Sequence, residues 1–72
     1  MINKKWSLEW AFKWAIGVIF GYAKGNLSLK IARGMLKKAI KLGLKRETVN
    51  LLIDMISIYT KKNLEVLKDV QA

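Results

Sequence analysis

The clearest chemistry in this 72-residue sequence is the capacity of its basic side chains to bind phosphate groups. Residues 24–46 carry eight lysines and arginines and no acidic residue, in a chain whose net charge is +9. Such a block favours polyanions, either nucleic acid or anionic lipid. Because lysine outnumbers arginine, point-charge contacts with phosphates are predicted rather than bidentate reading of bases. The candidate anion-binding residues are Lys30, Arg33, Lys37, Lys38, Lys41 and Lys45.

A helix is the element that would align these cations. With 100° per residue, Lys30, Arg33, Lys37 and Lys41 fall within one sector, and the apolar residues from Leu29 to Leu42 fill the other side. A row of lysines on a helix is often only a solvated surface. The absence of any acid between residues 24 and 46 favours phosphate binding over that alternative.

Catalysis has little support in the composition. The chain has no histidine and no cysteine, so the usual zinc, haem and iron–sulfur ligand sets are missing, and no disulfide framework exists. No phosphate-cradling glycine loop is present. The pattern of the acidic side chains indicates ordinary surface charge: Glu47, Asp54, Glu65 and Asp69. We therefore expect no enzyme activity, no catalytic residue, no metal and no cofactor.

The helix signals predict three helices, at about residues 8–24, 29–42 and 46–68. Ser7 is the expected N-cap of the first, with Glu9 in its first turn, and Gly25-Asn26 is expected to end it. Ser28 is expected to cap the second, and Gly43 to end it in the left-handed conformation. The stretch from Thr60 to Asn63 is the weakest part of the third, where a bend can occur.

These elements predict one all-α domain over residues 1–72, a compact three-helix bundle. Both connections are short, so neighbouring helices should be antiparallel or steeply crossed, in a saposin-like or a simple orthogonal arrangement. A bend near residue 60 would add a fourth short helical segment at the C-terminal end. A chain this short buries only about 60% of its surface, so we expect some apolar surface to stay uncovered.

Three glycines repeat every fourth residue along the first helix: Gly17, Gly21 and Gly25. Glycine in a helix costs about 1 kcal/mol relative to alanine, and this spacing predicts a smooth groove in which another helix packs. The partner is either the second or third helix of the same chain, or a second copy in a homo-oligomer. Alternatively, the glycines only mark a helix boundary, which would explain Gly25 by itself.

The tryptophans Trp6, Trp10 and Trp14 also recur at a spacing of four. One interpretation is an apolar core ridge; the other is an interfacial belt among lipid headgroups, beside Lys4 and Lys5. The first helix is apolar almost all round, but its uncharged run from Trp14 to Ala23 is too short to span a bilayer. No cleavable secretory signal is expected.

The composition is similar to that of leaderless bacteriocins: a retained Met1, no cysteine, abundant lysine and tryptophan, and compact amphipathic helices. That resemblance implies a cationic, antimicrobial, membrane-active protein that binds anionic lipid and perturbs the bilayer. It also implies secretion without a cleaved signal, or membrane association. One alternative is a virus- or plasmid-encoded type of protein that self-associates and binds nucleic-acid phosphates nonspecifically, for which the cytoplasm would be the location. Another is a module that binds a protein partner.

Overall fold

The first helix, α1, is longer at its N-terminal end than the sequence predicted. The computed structural model describes the backbone of residues 4–71 and the side chains of residues 8–68, and in it α1 spans Lys4–Ala23. The predicted start at residue 8 with Ser7 as the cap is therefore wrong, and Glu9 lies beyond the first turn. The residues before Ser7 contain no helix breaker, so the helix continues through it.

The end of α1 is confirmed at the predicted glycine. Gly25 has a φ of +86°, and its N–H donates to the Tyr22 carbonyl at 3.0 Å, while the Asn26 N–H donates to the Gly21 carbonyl at 2.8 Å. This pair of hydrogen bonds is the Schellman motif, which satisfies carbonyls that the helix end leaves without partners. Gly25 therefore allows the chain to turn at the end of α1.

The second helix, α2, spans Leu29–Lys41 and has both of its predicted caps. The Ser28 hydroxyl accepts a hydrogen bond from the Ile31 N–H at 3.2 Å. At the other end Gly43 has a φ of +122°, and the Leu44 N–H donates to the Ala39 carbonyl at 3.2 Å. Leu44 is buried, which supplies the hydrophobic contact that usually accompanies this motif.

The third helix, α3, spans Arg46–Thr60 and stops well before the predicted end at residue 68. Lys61 takes a left-handed conformation, with φ 58° and ψ 37°, and the chain turns back. The Ser57 hydroxyl donates to the Lys62 carbonyl at 2.6 Å and accepts from the Leu64 N–H at 3.0 Å. These bonds within residues 57–64 fix the turn, so the chain folds back there rather than continuing as helix.

The residues after this turn form a C-terminal 3₁₀ helix, Glu65–Gln71, which is the fourth short segment that the sequence allowed for. It packs against both α2 and α3, and α1 packs mainly against α2. Leu64 and Leu67 are fully buried, and their side chains complete the core formed by the three longer helices. No strand occurs in residues 4–71, so the fold is an all-α three-helix bundle.

Candidate functional site

Four basic side chains of α2 share one surface, the cationic face: Lys30, Arg33, Lys37 and Lys41. Their spacing of three and four residues places them in neighbouring rows of the helix. Arg33 is half-buried and the three lysines are exposed. None of the four forms an ion pair within the described part of the chain. Their positive charge is therefore not neutralised by the protein itself.

A shallow cleft of about 550 Å³ lies in the cationic face, lined by Leu29, Lys30, Arg33, Gly34 and Lys37. Gly34 is exposed, and a side chain built on it would meet no atom within 4 Å. The absence of a side chain there leaves the helix backbone accessible between the cations. An anionic group can therefore approach the α2 backbone at Gly34.

The other two predicted anion-binding residues lie elsewhere. The Lys38 Nζ lies 6.0 Å from the centroid of the Trp14 ring, a cation–π distance, on the side of α2 that meets α1. Lys45 is the N-cap residue of α3 and lines a different cleft. Lys38 therefore lies outside the row of the other four cations, and Lys45 lies beyond the end of α2.

Trp10 and Trp14 differ in their burial. The Trp6 side chain lies outside the described residues. Trp10 and Trp14 contact each other, with ring centroids 4.8 Å apart, but Trp14 packs against the core whereas 46% of Trp10 is exposed. The core interpretation thus describes Trp14, while Trp10 presents its indole to the surface.

The three glycines do not form one groove. Gly25 lies beyond α1, in the turn already described. Gly21 faces Leu27, whose Cδ1 atom would lie 3.0 Å from an added Cβ, so a loop residue of the same chain fills this position instead of a neighbouring helix. Gly17 is exposed, with no atom within 4 Å of an added Cβ. The helical spacing ends before Gly25, and of the two glycines inside α1 only Gly17 stays open at the surface.

A row of exposed apolar side chains on α3 was missed by the sequence analysis. We call it the apolar stripe: Leu51, Met55, Ile58 and Tyr59, which are 58%, 56%, 78% and 77% exposed. The four residues follow the helical spacing i, i+4, i+7, i+8, so they form one continuous surface. The signal was present in the sequence, because α3 is apolar over a wider arc than a single buried face requires. The Tyr59 ring also makes an edge contact with Phe20, with centroids 5.9 Å apart.

A second cleft, of about 640 Å³, separates the N-terminal half of α1 from the connection between α2 and α3. We call it the α1–α3 cleft, and its lining residues are Leu8, Glu9, Phe12, Lys13, Gly43, Leu44, Lys45 and Thr48. Leu44 is buried, while Leu8 and Phe12 are close to half exposed. The sequence analysis did not predict this cleft, because it depends on how α1 packs against a turn far along the chain.

No protein-family model, curated protein or solved structure matches this chain. Its surfaces are therefore the source of any functional inference.

Two of the described acidic side chains, Asp54 and Glu65, lie beside the same lysine. Among the described residues, no cluster of three or more histidine, cysteine, aspartate or glutamate side chains could hold a metal ion. Asp54 pairs with Lys68 at 2.6 Å, and Glu65 lies 3.6 Å from the same ammonium. The hydrogen bond to Asp54 raises the pKa of Lys68 above its ordinary value of 10.5. This ion pair links the C-terminal 3₁₀ helix to α3.

No helix in the described part of the chain is both long enough and apolar enough to cross a bilayer.

Proposed function

We propose that this protein binds the surface of anionic phospholipid membranes and perturbs them, with the cationic face contacting phosphate headgroups and the apolar stripe entering the acyl boundary. The observation that carries the proposal is the apolar stripe, since four large apolar side chains, each more than half exposed, lie in one row of a folded bundle. Contiguous apolar surface of this kind is typical of a membrane- or protein-binding surface.

Both surfaces contribute energies of similar size. A lysine or arginine near an anionic bilayer is worth about 1 kcal/mol, so the cationic face supplies roughly 4 kcal/mol. Complete burial of a large apolar side chain is worth about 1.5–3 kcal/mol, and the stripe residues gain only the part that is still exposed in the fold. Together the two surfaces suit reversible, interfacial attachment, which generally needs two such signals.

Nucleic-acid binding is the principal alternative. A phosphate backbone would use the cationic face equally well, but it would leave the apolar stripe in water. Among the described residues, no aromatic side chain lines the cleft in the cationic face, where it could stack on a base beside the cations. The apolar stripe is therefore the feature that favours lipid.

The test of the cationic face is binding and leakage of dye-loaded vesicles made of phosphatidylglycerol and phosphatidylcholine, with pure phosphatidylcholine vesicles for comparison. The variant Lys30→Gln/Arg33→Gln/Lys37→Gln/Lys41→Gln should lose roughly a thousandfold in affinity, the equivalent of about 4 kcal/mol. The control neutralises four exposed cations elsewhere: Lys13→Gln/Lys24→Gln/Arg46→Gln/Lys61→Gln. Equal losses in the two variants would show only a net-charge effect and would overturn the role of the cationic face.

The test of the apolar stripe uses Leu51→Gln/Ile58→Gln. This variant should still bind anionic vesicles at low salt, through the cationic face, but cause much less leakage. The control is Ile31→Gln/Val66→Gln, which changes two exposed apolar side chains outside the stripe. Absence of both vesicle binding and leakage in the unmodified protein would reject the membrane proposal. Duplex DNA binding that falls steeply between about 50 and 200 mM salt would then favour the nucleic-acid alternative.

A further inference from the structure

The α1–α3 cleft combines an apolar interior with cations at its mouth. Its apolar lining consists of Leu8 and Phe12 from α1 and the buried Leu44 from the connection between α2 and α3. Its volume of about 640 Å³ falls within the range of about 300–1,000 Å³ that is usual for small-molecule sites. The apolar part of this lining can contact an apolar group of a ligand.

The turn between α2 and α3 lines one side of the cleft. Residue 43 has a φ of +122°, a conformation that strongly favours glycine, so no side chain projects from the turn at this position. A Cβ added at Gly43 would lie 3.7 Å from the Cδ1 atom of Leu8, an ordinary van der Waals distance, so the turn and Leu8 lie close together here. Gly43 therefore contributes only backbone to the lining of the cleft.

The mouth carries two cations without acidic partners. Lys13 lies on α1 and Lys45 on the opposite side of the cleft, both are exposed, and neither forms an ion pair within residues 8–68. Glu9 lines the same cleft but contacts no cation among the described residues. The charge at the mouth is therefore net positive, and it complements an anionic head attached to an apolar body.

We infer that the α1–α3 cleft binds a single-chain anionic amphiphile of the fatty-acid type, with the acyl chain against Leu8, Phe12 and Leu44 and the carboxylate between Lys13 and Lys45. This site is separate from the cationic face and the apolar stripe. It goes beyond the proposed membrane attachment, since a free fatty acid can occupy it without any bilayer.

The test is titration with sodium laurate below its critical micelle concentration, followed by calorimetry and by amide chemical shifts. We expect one-to-one binding, with shifts concentrated in residues 8–13 and 43–48. Dodecyltrimethylammonium, which has the same chain length and the opposite charge, should bind at least tenfold more weakly. Equal binding of the two amphiphiles, or shifts spread over the whole protein, would overturn the inference.

Variants separate the two parts of the site. Lys13→Gln/Lys45→Ser should weaken laurate binding roughly tenfold, whereas the control Lys24→Gln/Lys61→Ser, with the same loss of charge, should leave it unchanged. Serine at position 45 also supplies the side-chain cap that α3 lacks, so the first variant should melt no lower than the unmodified protein. Loss of binding can then not be attributed to unfolding. Unchanged binding in this variant would contradict the role of the two lysines.

The apolar part of the site is tested by Phe12→Ser. This variant should weaken the binding of laurate and the binding of dodecylphosphocholine, a zwitterionic amphiphile, by a similar factor. No change for either amphiphile would place the chain outside the cleft. Vesicle leakage gives an independent readout. If laurate fails to bind while anionic vesicles still leak, the cleft inference is wrong and the membrane proposal stands. If laurate binds and vesicles do not leak, the cleft inference stands and the membrane proposal is wrong.

Discussion

The substitution Gly17→Ala tests whether another part of the chain packs against this glycine. Gly17 lies inside α1, it is exposed, and an added Cβ would meet no atom within 4 Å. The substitution therefore removes the intrinsic cost of glycine in a helix without a steric penalty. The expected gain is about 0.8–1.0 kcal/mol. In a domain of this size that gain corresponds to a rise in Tm of about 4–8 °C.

The neighbouring glycines are matched controls for that effect. Gly25→Ala places a side chain at φ +86°, where the left-handed conformation costs about 1–2 kcal/mol. Part of this cost is offset because alanine restricts the unfolded chain more than glycine does. We therefore expect the free energy of unfolding to fall by about 1 kcal/mol. Gly21→Leu should be more damaging than Gly21→Ala, because even a Cβ there lies 3.0 Å from Leu27 Cδ1 and a larger side chain must displace that leucine.

The assay is thermal and urea unfolding followed by circular dichroism, at two protein concentrations tenfold apart. Gly17→Ala should raise Tm equally at both. A lower Tm at both concentrations would refute the reasoning, because it would show that Gly17 is packed within the monomer. A lower Tm only at the higher concentration would show that the glycine receives a second copy, which is the assembly that the glycine spacing first suggested.

Three further substitutions test the turn after α3. Lys61→Gly should stabilise the fold by about 0.5–1 kcal/mol, because residue 61 has a φ of 58°; a lower urea midpoint would contradict this. Lys62→Met should lower the free energy of unfolding by about 0.5–1 kcal/mol, because the Lys62 Nζ donates to the Ala23 carbonyl at 2.6 Å, at the negative end of α1. An unchanged urea midpoint would refute this role. Because Asp54 raises the pKa of Lys68 in the folded state, the pair stabilises the fold below pH 10.5 and this contribution is lost as the pH rises beyond it. Unfolding free energies of the unmodified protein should therefore fall more steeply above pH 10.5 than those of Lys68→Met, and parallel curves would exclude the linkage.

The elements that the sequence predicted well depend on local interactions. The Ser28 cap bonds to a residue three positions away, and Gly25 and Gly43 end their helices through bonds spanning at most five residues. Each of these residues has a strong intrinsic preference for its position. The helical spacing that puts apolar and basic residues on opposite sides likewise predicted the cationic face of α2.

The features that the sequence did not predict depend on distant parts of the chain. The sequence indicated that a bend can occur between Thr60 and Asn63, but not its geometry: the left-handed residue is Lys61, which has no intrinsic preference for that conformation, and the turn forms where Leu64 and Leu67 pack into the core. The α1–α3 cleft joins residues 8–13 with residues 43–48. Periodicity along a single helix carries no information on such contacts.

The turn after α3 also determines which side of that helix stays uncovered. The returning chain meets α3 along the row of Ser57 and Asp54, through the Ser57 hydrogen bonds and the 2.6 Å contact between Asp54 and Lys68. The apolar stripe lies on the next rows round the helix, and its side chains are the most exposed large apolar groups of the described residues. Because the contacts that complete the core lie on other rows, polar substitutions in the stripe should change stability by less than about 0.5 kcal/mol. A loss of leakage in Leu51→Gln/Ile58→Gln would therefore report on the surface itself, whereas a large fall in its Tm would show that the stripe is packed in solution, as it would be against a second copy.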